Sequence, residues 1–201
     1  MKFKGNRLLV ATHNVGKLEE IVDLLKPFEV NVVSAAELGL PVPDETETSF
    51  VGNARIKARA GMLASGLPTL ADDSGLTVDA LGGAPGVYTA DWAETSAGRD
   101  FGIAMARLWR ELEAVAAPKP RKAQFRCTLV LAVPDAMDQV FDGVMPGRIV
   151  WPMRGAQGHG YDPVFQPDGL DQTFGEMDRW AKNRISHRAD AFRKFVEACF
   201  T

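Results

Sequence analysis

Two aspartates stand side by side in the stretch LADDSGLTVDALGGAPGVYTA, Leu70 to Ala90, and three glycine-containing pairs (SG, GG, PG) follow them. Adjacent carboxylates repel each other, and glycines cost backbone entropy that a purely structural segment avoids. In a regular strand Asp72 and Asp73 point to opposite faces, but at a strand end the pleat breaks down and both could approach one hard cation. Magnesium suits such a place, because it takes oxygen ligands and commonly uses one or two carboxylates plus phosphate oxygens. A carboxylate left over can orient an attacking water. The plainer alternative is a turn in which an aspartate caps its own backbone.

Four further groups carry chemistry. In THNVGK, Thr12 to Lys17, a strand ends and a helix begins, so free N–H groups face outward where phosphate oxygens could bind. Thr12 and Asn14 add a hydroxyl and an amide, and Lys17 adds a point charge. The pattern is not a Walker A loop, since the leading glycine is missing and Leu18 replaces the magnesium-holding Ser/Thr. The acid cluster Asp44–Glu47 precedes SFVGNARIKA, where Asn53 and Lys57 share a helix face that could look toward those acids.

In GHGYDP, Gly158 and Gly160 allow close backbone approach, His159 and Tyr161 offer flat faces for a ring, and Asp162 accepts hydrogen bonds. In KNRISHR, Ser186 reads as a helix N-cap with Lys182, His187 and Arg188 around it. Cations there oppose the helix dipole, a cost that a purely structural surface helix has no reason to carry. Taken singly, each group also fits a plain reading: a capped helix, solvated acids, a turn on the core, a solvated basic face. His13, His159 and His187 lack metal-ligand spacing, and Ser74 has neither an evident base nor a nucleophile elbow around it.

The elements that must position these groups follow from periodicity. Arg7–Thr12 is a buried strand, and Val15–Leu25 is an amphipathic helix with apolar residues at 18, 21, 22 and 25, stopped by Pro27. Glu29–Ser34 alternates as a second strand, and a second helix covers about Phe50–Ala64. Thr69–Ala71 and Leu76–Val78 read as short strands flanking a DDSG turn. Ala97–Val115 is a helix with a clear apolar face. Beyond the link APKPRK come strands at Phe125–Val133, Gln139–Met145 and Arg148–Trp151, then a last helix over His187–Phe200. The expectation is one α/β domain across the 201 residues.

Composition narrows the function. Hydrophobic residues make up 46% and charged residues 24%, a globular balance. A net charge of −3, from 23 basic and 26 acidic residues, disfavours a general nucleic-acid binder. Cys127 and Cys199 sit in apolar surroundings and read as buried free thiols. The leading MKFKGNRLLVATHN has too short an apolar run for a signal peptide, and no segment reaches the ~20 apolar residues of a membrane span. A cytoplasmic protein without membrane or nucleic-acid partners is expected.

The order THNVGK, DETETSFVGNARIKA, ADDSGLTVDALGGAPGVYTA, GHGYDPVF, KNRISHR resembles the inosine/xanthosine triphosphate pyrophosphatase family from about Leu8 to Phe195. The resemblance implies an elongated mixed sheet flanked by helices, two lobes around a substrate cleft, and a homodimer. It implies Mg²⁺-dependent cleavage of ITP, dITP and XTP to the monophosphate and pyrophosphate. By motif, Thr12, Asn14, Lys17 and Lys57 would hold phosphates, Glu45 and Asp73 the metal, with Asp73 also the general base and Asp72 in support. Ser74 matches a substrate contact, while His159, Gly160, Tyr161, Asp162, Lys182, His187 and Arg188 would form the base pocket. Two residues depart from the family pattern: Gly52 stands where a glutamate is usual, and His159 where phenylalanine is. The alternatives are a broader nucleotide phosphohydrolase and a nucleotide-binding regulator that does not hydrolyse.

Overall fold

The run RLLV forms strand β1 (Arg7–Val10), and its three aliphatic side chains are buried. β1 leads to helix α1 (Val15–Leu25), whose Ile21 and Leu25 are buried, as the helical spacing requires. Strand β2 (Asn31–Ser34) then pairs parallel to β1, Arg7 opposite Asn31. The computed structural model describes residues 5–13 and 15–200, so Asn14 lies outside the described residues.

Helix α2 (Phe50–Ser65) starts at Ser49, whose hydroxyl accepts the Gly52 N–H, and stops at Gly66 in the left-handed region at φ 69°. Strand β3 (Thr69–Val78) pairs parallel to β1 through Thr69 and Leu70. A small hairpin, β4 (Glu94–Thr95) and β5 (Gly98–Arg99), precedes helix α3 (Phe101–Ala114). Strands β6 (Lys122–Ala132), β7 (Gln139–Ile149) and β8 (Phe165–Pro167) follow, then helices α4 (Arg179–Ile185) and α5 (His187–Cys199). The six-stranded sheet has the order β2-β1-β3-β6-β7-β8 and is mixed, since β7 and β8 are antiparallel. This is the α/β architecture expected from the sequence, with helices flanking a central sheet.

Several elements differ from the sequence expectation. β3 is one continuous ten-residue strand with no turn at DDSG. β7 runs through the Pro146–Gly147 pair that reads as a break, because β8 pairs with it from Gly147 onward. α3 begins at Phe101, where the Asp100 carboxylate accepts the Gly102 and Ile103 N–H groups. β8 and α4 are too short to leave a periodic signal.

The chain forms two compact units. The first runs to Asp73, resumes over Cys127–Asp142 and ends with the segment from Ala191. Leu8, Val10, Ile21, Leu70, Leu129 and Phe195 pack in its main core, and Ala54, Ala58 and Ala71 in a second cluster. Helix α2 is fastened there by Asp138, whose carboxylate takes the Arg55 Nε at 3.0 Å and the Arg59 Nε at 2.8 Å. The second unit comprises Ser74–Arg126 and Gly143–Asp190, with Leu76, Met105, Leu108, Tyr161, Phe165 and Phe174 in its core. Cys127 and Cys199 are both buried. Among the described residues no helix is long and apolar enough to cross a membrane.

Candidate active site

The first unit gathers two lysines and three carboxylates. Lys57 Nζ, on α2, lies 2.7 Å from Glu45 Oε1 and 3.8 Å from Asp73 Oδ1. Lys17 Nζ, in the first turn of α1, lies 2.7 Å from Asp72 Oδ2. Because β3 continues through Asp72 and Asp73, strand alternation separates the two side chains, and each aspartate pairs with its own lysine. The strand end expected at DDSG is therefore corrected: β3 runs on through it. Within the strand Asp72 holds Lys17, Asp73 shares Lys57 with Glu45, and the charges of both aspartates act on Lys57.

Local chain geometry brings Glu45 to this place. The buried Asn53 accepts the Glu47 N–H through Oδ1 at 2.9 Å, tying the acid loop to α2. Gly52 permits the close approach. A Cβ there would meet Glu47 Cβ at 2.5 Å and Ser49 Oγ at 2.9 Å. The carboxylate that the resemblance predicts on the helix at this position is thus replaced by the loop itself, with Glu47 filling the space.

Burial pushes the Asp73 carboxyl up to about 6; Glu45 and Asp72 add to the rise, while Lys57 and Lys17 oppose it. Burial also works against the Lys57 ammonium, yet Asp72, Asp73 and Glu45 together outweigh it and raise its pKa. The cluster sets three carboxylates against two ammonium groups and so has room for more positive charge. Thr12 and Ser74 are half-buried, Thr12 just beyond β1 and Ser74 next to Asp73 in β3.

The second unit holds the other group. Asp162 is buried, and its Oδ2 accepts the His159 N–H at 2.6 Å and Lys182 Nζ at 2.5 Å. Gly158, at φ 79°, makes room: a Cβ there would meet that same oxygen at 2.1 Å. Lys182 also stands 5.3 Å from the Phe174 ring centroid. His187 is buried and stacked on Phe125, centroids 5.1 Å apart and planes 15° apart. Ser186 Oγ accepts the Ala189 N–H, as the capping reading requires, with Arg188 half-buried in the same turn.

A profile of the Ham1 family matches residues 8–198. The chain belongs to the Ham1 family. It is 67% identical over 198 residues to a dITP/XTP pyrophosphatase of Ruegeria pomeroyi, with 98% of this chain and 97% of the relative covered. A Rhodospirillum centenum protein of the same name is 54% identical over 199 residues, covering 99% and 97%. Among solved structures, a HAM1 protein from Coxiella burnetii superposes with a TM-score of 0.90 at 35% identity, covering 96% of this chain and 98% of that one. A Mycobacterium abscessus structure described as a nucleoside-triphosphatase/dITP/XTP pyrophosphatase gives 0.78 at 36%, covering 94% and 98%.

In this Ham1 chain the expected residues therefore fall into two sets. Lys17, Glu45, Lys57, Asp72 and Asp73 form one connected group, and His159, Gly160, Asp162 and Lys182 form another. Tyr161 is a correction. Its ring is completely buried and packs edge-on against Phe101 at 5.9 Å, so it offers no face to a ligand. Burial raises its phenol pKa well above the ordinary value, although nearby Arg107 opposes the rise. Tyr161 anchors the backbone between Gly160 and Asp162 instead. Sequence reasoning missed Phe174 and Phe125, which line Lys182 and His187; nothing in their spacing distinguishes them from other core aromatics.

Proposed function

We propose that this Ham1 chain hydrolyses inosine and xanthosine triphosphates and their deoxy forms, releasing the nucleoside monophosphate and pyrophosphate. The observation that carries the reading is the Glu45–Lys57–Asp73 arrangement, in which two carboxylates face a single positive centre. Oxygen-only donors of this kind fit Mg²⁺, and the raised Asp73 carboxyl marks a place where a further cation is welcome. Glu45 and Asp73 would hold the metal, which supplies charge withdrawal from the phosphate oxygens.

The chain's own groups do the rest. Lys17, Lys57, Thr12 and Asn14 bind the triphosphate oxygens, and Ser74 adds a contact beside Asp73. When phosphate draws Lys57 away from Glu45 and Asp73, those carboxylates become available to the cation. Asp73 orients a water toward the α-phosphorus and accepts its proton. Charge neutralisation and fixed geometry lower the barrier together.

Base recognition falls to His159, Gly160, Asp162, Lys182, His187 and Arg188. Asp162 fixes Lys182, leaving ammonium protons for a 6-oxo oxygen, which inosine and xanthosine carry and adenosine lacks. An adenine amine leaves that donor unpaired, a mismatch of about 1–3 kcal/mol. His159 takes the ring-stacking role that the family usually gives to phenylalanine. The whole sequence acts as one catalytic domain, as a homodimer in the cytoplasm, with no nucleic-acid or membrane partner.

A panel of nucleoside triphosphates with Mg²⁺, scored separately for pyrophosphate and orthophosphate, tests the reading. Pyrophosphate from ITP and XTP is expected; orthophosphate, or equal turnover of ATP, would overturn it. Lys182→Met is expected to narrow the preference for ITP over ATP by about ten-fold or more in kcat/KM. An unchanged ratio would move base recognition elsewhere.

A further inference from the structure

In the second unit, the segment joining α3 to β6 meets the end of β7 and borders an open cavity of about 490 Å³, within the size range of small-molecule sites. Two indoles and three cations line it: Trp109, Trp151, Lys119, Arg121 and Arg148. The indoles stack with centroids 5.6 Å apart and planes 16° apart, and the Arg121 guanidinium lies 3.8 Å over the Trp109 ring.

Arg121 is the informative residue. It is 7% exposed, and Glu113 takes one of its amino groups, yet its Nε and Nη1 are buried without a hydrogen-bond partner among the described residues. Buried donors are rarely left so, and an unmet pair at a cavity wall points to a ligand acceptor. Lys119 and Arg148 likewise have no carboxylate partner among the described residues. The cavity therefore presents a surplus of positive charge beside an indole, Trp151, that is 37% exposed. A flat ring suits the indole face, and an anionic oxygen cluster suits the three cations.

We propose that this cavity is a second site for a nucleoside monophosphate, with its ring against Trp151 and its phosphate among Lys119, Arg121 and Arg148. None of the lining residues is among those assigned to hydrolysis, and the proposal does not rest on that assignment.

The test uses the full chain carrying Trp92→Phe and Trp180→Phe, so that only Trp109 and Trp151 report by fluorescence. Titration with inosine monophosphate in chelator is expected to give saturable quenching. Inosine, which lacks the phosphate, should bind about ten-fold more weakly or worse. Arg148→Ala and Lys119→Ala, at positions that are not buried, should each weaken the nucleotide by a similar factor while triphosphate hydrolysis is retained. Lys182→Met should leave the quenching intact. Absence of saturable quenching, or quenching unaffected by both charge variants, would overturn the proposal. So would inorganic phosphate matching the nucleotide, which would mean a phosphate site only. A signal that follows protein concentration and sedimentation rather than nucleotide would assign the face to a second copy of the chain, and would equally overturn it.

Discussion

Asp73 is held in a setting that suits the base role proposed for it, at the expense of the fold. Its carboxyl is displaced from the ordinary 3.8 up to about 6 by burial first, then by Glu45 and Asp72. For a carboxyl raised in this way, the folded protein binds the proton more tightly than the unfolded chain does. The penalty is absent below about pH 4, where both states are protonated, and complete above about pH 6, where the folded state must carry the charge. Stability of the metal-free protein should therefore fall as pH rises through that window, by roughly 3 kcal/mol for a displacement of about two pH units. Asp73→Asn removes the charge. In chelator at pH 7 it should be more stable than wild type by up to that amount, with the difference vanishing near pH 4, as read from urea midpoints. A less stable variant at pH 7 would refute the account. The same substitution should nearly abolish turnover while nucleotide binding stays measurable, and near-wild-type rates would remove Asp73 from the base role. Bound Mg²⁺ favours the ionised carboxylate, so the pH below which wild-type activity falls should move lower as Mg²⁺ is raised.

At the scale of elements, the long helices were legible, whereas the short α4 and the continuity of β3 were not. Leu18, Ile21, Val22 and Leu25 mark α1 over Val15–Leu25, because four apolar residues at helical spacing leave little choice. The DDSG segment reads as a turn because Asp, Ser and Gly are depleted in strands. The structure makes it the middle of β3 because Lys17 and Lys57, remote in sequence, neutralise its two charges. Local propensity cannot register such long-range partners. Gly52 shows the same limit from the other side: the sequence reveals a missing carboxylate, but only the packing of Glu47 shows what occupies the space. Alanine at 52 gains helix propensity of up to about 1 kcal/mol. Its methyl, however, strikes Glu47 Cβ, an atom next to the backbone, so the loop bearing Glu45 must move. Gly52→Ala should therefore raise the Mg²⁺ concentration needed for half-maximal activity several-fold, with little loss of stability. Adding Glu47→Gly, which removes the two nearest obstructing atoms and leaves only the Ser49 hydroxyl, should largely restore it. Unchanged metal dependence in the single variant would detach the acid loop from the site.

At the scale of the molecule, the α/β class and the order of motifs are legible in the sequence, whereas the assembly of each unit from separated segments depends on contacts that no window contains. Phe195 illustrates this: it lies near the chain end yet packs in one core with Leu8 and Leu129. Charge supplies the last prediction. The chain carries a net −3, and the group in its first unit sets Glu45, Asp72 and Asp73 against Lys17 and Lys57. A triphosphate is itself a multiply charged anion, so nucleotide alone adds repulsion, whereas nucleotide with a divalent cation brings its own neutralisation. A ligand that binds only the folded state at a hundred times its dissociation constant stabilises it by about 2.7 kcal/mol. For a chain of this size that corresponds to a rise in melting temperature of roughly 5–10 °C. A non-hydrolysable ITP analogue with Mg²⁺ should produce this shift, either component alone should give much less, and chelator should reverse it. The adenosine analogue at equal concentration should shift the transition less, because Lys182 then lacks its acceptor. A full shift by the nucleotide in chelator would mean that binding does not need the cation, and would separate Glu45 and Asp73 from the phosphate site.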